Sequence, residues 1–280
     1  MDIFIRYPGF KTKVVTFSFD DGTVQDEKVV SILNKYGMKG TFNLNAIIFK
    51  EPKVLNGSTP RLSKEKALEL FKDSPHEVAC HGLYHGRVSA NPIASEMYNT
   101  LIEREILEDV FKNIVRGMAY PYGAHTPSLA KALHNTGIAY SRTTKNTHRF
   151  DIPTEDDEMW WMMWHPTCHH QDQKVFELAQ NFLDRKITHY PEMFYIWGHS
   201  VELERKENGE EDFEKLCKML SLDEEIYFAT NIEIYDIFKN YNRLRFSLDC
   251  KTVHNPSSKS VFINAGGKDY EIPAGSTVKL

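Results

Sequence analysis

The chain has 280 residues, 41% of them hydrophobic and 26% charged, a balance that supports a sizeable core in an ordinary soluble protein. Its formal charge of -5 comes from interspersed acids and bases, so no basic stripe marks a nucleic-acid interface. No run approaches the ~18 apolar residues of a membrane-spanning helix. The opening residues, MDIFIRYPGFKTK, have no apolar leader core, and with Met1 as the native start they predict a cytoplasmic protein. Four scattered cysteines, Cys80, Cys168, Cys217 and Cys250, read as free thiols.

KVVTFSFD (13–20) is rich in β-branched and aromatic residues and stops at Asp-Asp-Gly, which predicts a buried strand ending in a turn. A helix follows over 24–37, with Val29, Leu33 and Tyr36 on one face and Gly37 at the C-terminal cap. GTFNLN (40–45) is the second strand, followed by a loop with Pro52, Gly57 and Pro60. Ser63 then caps a helix over 63–73, and HEVACHG (76–82) is the third strand.

Asn91-Pro92 opens a helix running to about 115. GMAYPYG (117–123) passes from strand to loop, and Thr126-Pro127 starts a helix that ends at Gly137. The segments 138–144, 159–168 and 193–200 are further strand candidates, the last two separated by a helix over 174–185. A helix at 211–220, a strand at 226–230 and a helix at 231–241 complete the series. Strand and helix alternate in units of roughly thirty residues, which predicts an α/β fold with a parallel sheet, either a barrel or open. From 244 to 280 short β segments punctuated by Pro-Ser, Gly-Gly and Ala-Gly predict a small all-β appendage beside a catalytic domain at 1–243.

In a parallel α/β barrel the chemistry sits where strands open into loops at their C-terminal ends. The polar candidates fall there. Asp20 and Asp21 end the first strand, His81 and His85 follow the third, Tyr122 ends the fourth, and His199 ends a late strand. His81 and His85 lie four residues apart, so one tight loop can aim both imidazoles at a point; with one carboxylate they suit Zn²⁺ or a neighbouring metal and leave positions open. The Asp20-Asp21 pair admits two readings: one aspartate caps the next helix, or a cation held by one leaves the other free as a base. His199 is either a core histidine or a general acid.

In that order FSFDDG, HGLYHG, YPYG and a late strand ending in His resemble the NodB-type polysaccharide deacetylases (carbohydrate esterase family 4) over about residues 13–235. The resemblance implies a distorted (β/α) barrel, usually seven-stranded, with one divalent metal, commonly Zn²⁺. It implies Asp20 as general base, Asp21, His81 and His85 as metal ligands, His199 as general acid and the Tyr122 backbone N–H as an oxyanion donor. The expected substrate is an acetylated saccharide, with Pro121, Trp197 and Arg142 as candidate substrate-binding residues. Trp197 alternates with Tyr195 and His199 and so faces the same way.

Two departures from the family pattern stand out. Ala119 occupies the place of an arginine that usually supports the base, and Arg142 on the next strand is a candidate to supply that guanidinium instead. The Asp-Trp motif that usually supports the acid has no clear match; Asp157 and the segment Trp164–His170 lie in its region. His165, His169 and His170 there belong either to the substrate cleft or to a polar loop. Two other functions remain open at this level: hydrolysis of a small non-sugar amide, such as a cyclic imide or ureide, and carbohydrate binding by a metal-dead barrel.

Overall fold

The computed structural model describes residues 2–51, 59–153 and 157–280; the loop reading at Pro52 and Gly57 lies outside them. In chain order the strands are β1 (Ile3–Arg6), β2 (Lys13–Asp20), β3 (Gly40–Leu44), β4 (Glu77–Cys80), β5 (Gly117–Ala119), β6 (Tyr140–Arg142), β7 (Cys168–His169), β8 (Glu192–His199) and β9 (Ile226–Phe228). The last five are β10 (Arg245–Phe246), β11 (Thr252–His254), β12 (Val261–Ala265), β13 (Lys268–Ile272) and β14 (Thr277–Lys279). The helices are α1 (Asp26–Lys35), α2 (Lys64–Phe71), α3 (Ile93–Phe111), α4 (Pro127–His134), α5 (Glu158–Met162), α6 (Val175–Asp184), α7 (Glu202–Arg205), α8 (Gly209–Leu220) and α9 (Asn231–Asn242).

Among the described residues, seven parallel strands in the order β6-β5-β4-β3-β2-β8-β7 curl into a distorted (β/α) barrel. Strand β2 is its axis: it pairs with β8 along its whole length and with β3 near its end, while short β9 takes the place beside its first residues. Trp164 draws the two sheet edges together, since its N–H donates to Ser141 O and its carbonyl accepts from Thr143 N, both at 2.9 Å. Local signals explain several helix ends. Ser63 and Thr126 accept from Lys66 N and Leu129 N, and Thr230 with Glu233 forms a reciprocal cap at the start of α9.

The alternation of β2 sorts its residues to two layers. Val15, Phe17 and Phe19 join the core between sheet and helices, with both phenylalanine rings edge-on to Phe213 of α8. Val14 packs in the other layer with Tyr140, Trp164 and Tyr195. Thr16 and Ser18, on that same face, bond Asn231 and Asn43, so this face grows more polar towards Asp20.

One expected strand is not formed as such. Within 159–168, Asp157 caps a short helix by accepting from Met159 N, and β7 begins only at Cys168. Strand-favouring tryptophans fit here because the short helix sets Trp161 against Trp164 just beyond its end, their rings 4.9 Å apart and both buried. Tertiary packing overrides local preference here.

Residues 244–280 form short antiparallel strands around Val253, Ile263 and Ile272. They do not stand by themselves: β1 pairs antiparallel with β12, Ile3 opposite Ala265 and Arg6 opposite Phe262. No helix among the described residues is long and apolar enough to cross a membrane.

Candidate active site

Asp20 and His199 end β2 and β8 in register, so the parallel pairing alone sets them side by side at the mouth of the barrel. Asp20 is buried. Asn43, next in register on β3, donates to its Oδ1 at 2.9 Å, and the Arg142 guanidinium bonds both carboxylate oxygens. Arg142 is the cross-strand neighbour of Ala119, so the guanidinium enters one strand over from the position where an arginine is usual. It lies 4.6 Å over the Trp197 ring and has no exposed surface. Burial pushes the Asp20 carboxyl upward, but Arg142, His81 and His199 outweigh it and hold it below the ordinary carboxylate range.

Asp21 adopts a left-handed backbone (φ 85°), uncommon for a residue with a side chain. The following Gly22 (φ 63°) continues the turn, and a Cβ there would meet Leu44 Cδ2 at 2.9 Å. The chain therefore reverses abruptly after the strand, and the two carboxylates part. Asp21 Oδ1 lies 3.1 Å from His85 Nε2 and 3.7 Å from His81 Nε2.

The HGLYH loop is braced from beneath. Glu103 of α3 accepts from His81 N and Gly82 N at 3.1 Å each, and Asn45 donates to the carbonyls of both residues. Burial raises the Glu103 carboxyl to about 8.

These three side chains fit a metal ion. One ligand-type atom from each of Asp21, His81 and His85 lies within 4.8 Å of the others. His81 Nδ1–H donates to Ala119 O at 2.9 Å, which leaves the Nε2 lone pair for the site. Asp21 Oδ1 is buried with no hydrogen bond of good geometry, although Arg61 Nη1 lies 3.2 Å away. Burial pushes the Asp21 carboxyl up, yet His85, His81 and Arg61 hold it far below its usual range. Burial also lowers His81 to about 4, so this imidazole is neutral, as a ligand must be.

On the other side of Asp20, the His199 imidazole is fixed by Glu202. Its Nδ1 lies 3.1 Å from Glu202 Oε1, and its backbone N–H donates to Oε2 at 2.9 Å. Burial works against the charged imidazole, but Glu202 and Asp20 prevail and raise its pKa. Glu202 Oε2 is also met by His169 Nε2 at 2.9 Å and His170 Nε2 at 3.0 Å.

Of the sequence-derived candidates, the structure brings Asp20, Asp21, His81, His85, Arg142 and His199 together. Tyr122 lies beside them with a left-handed backbone (φ 58°), its ring 4.9 Å from His85 and 58% exposed. Three candidate substrate contacts are placed differently from a cleft wall. Pro121 is buried under the loop, its Cγ 2.7 Å from where a Gly82 Cβ would lie. Arg142 sits wholly behind Asp20. Trp197 is only 9% exposed, with its ring under Arg142 and its N–H donated to Asn146 at 2.8 Å.

Sequence reading missed Asn43, Arg61, Glu103 and Glu202. A signal existed for Glu202, a carboxylate three residues after a strand-ending histidine, and for Asn43, an amide on the inward face of a strand. Arg61 and Glu103 carried none.

The parallel strands form the distorted (β/α) barrel of the NodB fold, and at their ends lie an Asp-His-His cluster, a buried Asp-Arg pair and a carboxylate-bound histidine. Residues 8–141 match the polysaccharide deacetylase family. That segment is just under half of the chain, and over it the chain is similar to this family. A Mycobacterium smegmatis protein assigned to the polysaccharide deacetylases shares the fold with a TM-score of 0.60 at 15% identity, over 85% of this chain and 94% of that one. The peptidoglycan deacetylase PdaC of Bacillus subtilis matches at 0.52 and 14%, over 82% and 94%. A CE4 family pseudoenzyme of Bacillus anthracis matches at 0.52 and 18%, over 82% and 67%. Identities this low carry the fold alone. No curated protein matches the chain in sequence.

Proposed function

We propose that this protein is a metal-dependent deacetylase that hydrolyses acetyl groups of a carbohydrate, N-acetyl and, by the same chemistry, O-acetyl. The observation that carries the reading is the pairing of a metal-ready cluster with a separate, ionised aspartate. Asp21 Oδ1 lies 3.1 and 3.7 Å from the Nε2 atoms of His85 and His81, while Asp20, at the edge of this cluster with Oδ2 3.8 Å from His81 Nε2, is held by Arg142 and Asn43. Asp21, His81 and His85 hold one divalent ion, for which an N₂O donor set with open positions favours Zn²⁺. When bound, the ion lowers the pKa of water and polarises the acetyl carbonyl.

The chain's own groups account for the proton transfers. Asp20, kept ionised by Arg142, accepts the proton of the attacking water, and the fixed guanidinium keeps its oxygens aimed at the mouth of the barrel. The Tyr122 N–H donates to the acetyl oxygen as it gains negative charge, worth a few kcal/mol of barrier per donor. His199 stands on the leaving-group side. With Nδ1–H held by Glu202, its Nε2 is the nitrogen that hands a proton to the departing amine or alcohol. Tyr84 and Tyr122, 52% and 58% exposed, offer ring faces to a sugar; Trp197 instead seats Arg142.

Acetate release from N- and O-acetylated saccharides, with and without chelator, tests the proposal. The expected result is release that chelation abolishes and Zn²⁺ restores. Release that ignores the chelator, or hydrolysis confined to cyclic imides and ureides, would refute it. The second reading, a barrel that binds saccharide without turnover, draws on the pseudoenzyme among the fold neighbours. Against it stands the complete Asp20, Asp21, His81, His85 and His199 set, and saccharide binding with no acetate release would establish it.

A further inference from the structure

His169 and His170 lie outside the proposed metal cluster and the acid–base pair, yet both close on Glu202. The Glu202 carboxylate is ringed by nitrogen: Oε2 by His169 Nε2, His170 Nε2 and the His199 backbone N–H at 2.9–3.0 Å, and Oε1 by His199 Nδ1 at 3.1 Å. Burial pushes the Glu202 carboxyl up, but His169, His170 and His199 hold it far below its usual range. Gln171 Nε2 also donates to the Glu202 carbonyl at 2.8 Å, so the β7 end grips the residue by backbone as well as side chain.

Such a group of two imidazoles and a carboxylate within 4.8 Å also has the composition of a cation site. The His169 tautomer decides between the two. The Gln171 N–H donates to His169 Nδ1 at 3.1 Å, so that nitrogen carries a lone pair and the ring proton sits on Nε2, facing Glu202. A ligand nitrogen needs the reverse arrangement, which His81 has, with its Nδ1–H given to a carbonyl. His169 is a hydrogen-bond donor to Glu202.

We propose that His169 and His170 are positioning residues that act through Glu202 on His199. They fix one carboxylate oxygen so that the other holds the His199 ring with Nε2 towards the substrate. Glu202 alone, on a four-residue helix, would be free to swing on its flexible side chain. His170 is buried against Phe19 and Phe213, and Gly198 leaves the space its ring occupies, because a Cβ there would overlap it. Charged groups that bear on the His199 ring are Glu202, Asp20 and Asp21, and His169 lies 6.4 Å from it, ring to ring. The segment 165–170 thus supports the acid with imidazoles, and the carboxylate comes from the residue one turn after the acid itself.

The inference rests on His199 being the acid of the deacetylase proposed above, so its test includes a measurement independent of turnover. His170→Leu keeps the bulk and removes the donor; His170→Gln keeps a donor. In the metal-loaded protein, the His199 Nδ1–H proton should give a protected downfield NMR resonance in the wild type and in His170→Gln. It should be lost to exchange in His170→Leu and in Glu202→Gln. On an acetylated saccharide, His170→Leu should lower kcat by about tenfold or more with KM unchanged, the scale of outer partners that orient a functional imidazole. Added to Glu202→Gln it should cost nothing further.

An unchanged resonance in His170→Leu, additive losses of kcat, or a second metal ion per chain that His170→Leu removes would each overturn the proposal. If the resonance behaves as expected but the wild type releases no acetate, the clamp stands and the deacetylase reading falls.

Discussion

Asp20 and Arg142 form a deeply buried ion pair, and such pairs behave asymmetrically. Removing one partner strands a charge in the interior and costs about 3–5 kcal/mol, whereas removing both is far milder. Arg142→Met should therefore lower the urea midpoint sharply, and Asp20→Asn combined with it should recover much of the loss without recovering acetate release. If the double variant is as unstable as the single, the guanidinium is held by other groups. At the neighbouring strand end, His199→Ala should reduce turnover at least about a hundredfold, since amines and alkoxides leave poorly without a proton. Near wild-type kcat in that variant would remove His199 from the acid role. Placed alone, each of these residues has an ordinary alternative as a helix cap or a core histidine. Their register on adjacent strands joins them into one site.

The elements carry that register, and one glycine makes it visible. Gly198 precedes His199 on β8, and a methyl group there would overlap the His170 ring and approach His169 Nε2 at 3.1 Å. Gly198→Ala should displace both rings, costing about 1–3 kcal/mol as an overpacked core position and lowering kcat through Glu202. An Ala variant with wild-type thermal stability and turnover would show that the rings move aside freely. Much of the barrel was legible because each strand is a short apolar run ended by a turn residue, and polar residues at such ends stand out. Arg142 could be nominated as the partner of Asp20 because parallel strands in register bring neighbours to the same side, as Ala119 and Arg142 show. Glu202 is harder to single out because it lies past the strand, on a helix of one turn, and its local i,i+3 contact to His199 gains its meaning only with His169 and His170 from another strand. Helix α5 was misread because its tryptophans favour strands and its true signal, Asp157 capping Met159, is a single hydrogen bond.

At the scale of the whole molecule, Glu77 ties three elements at the foot of the barrel. It accepts from Thr41 Oγ1 of β3, Tyr140 Oη of β6 and Ile232 N of α9 at 2.8–2.9 Å. Burial raises its carboxyl to about 7, above the ordinary 4.5. The native state then binds the extra proton between those values, so this stabilisation is full below pH 4.5 and is lost as pH climbs through 7. The size is at most ~3 kcal/mol, and urea midpoints across that window should fall less steeply in Glu77→Gln than in the wild type. His76 acts with the opposite sign: burial lowers its pKa to about 4, so its contribution is lost as pH falls from 6.5. Only the difference between variants isolates Glu77.

The pairing of β1 with β12 has a consequence in time as well as in space. Residues 3–6 and 262–265 are hydrogen-bonded neighbours, yet more than two hundred residues of translation separate them. At ~5–20 residues per second, the first strand waits on the order of tens of seconds for its partner to leave the ribosome. During that interval an apolar IFIR edge is unpaired, the kind of surface that recruits foreign strands. The nascent barrel is therefore a client for holding chaperones until β12 arrives, and mutations that weaken β12 should show first as lost yield during synthesis.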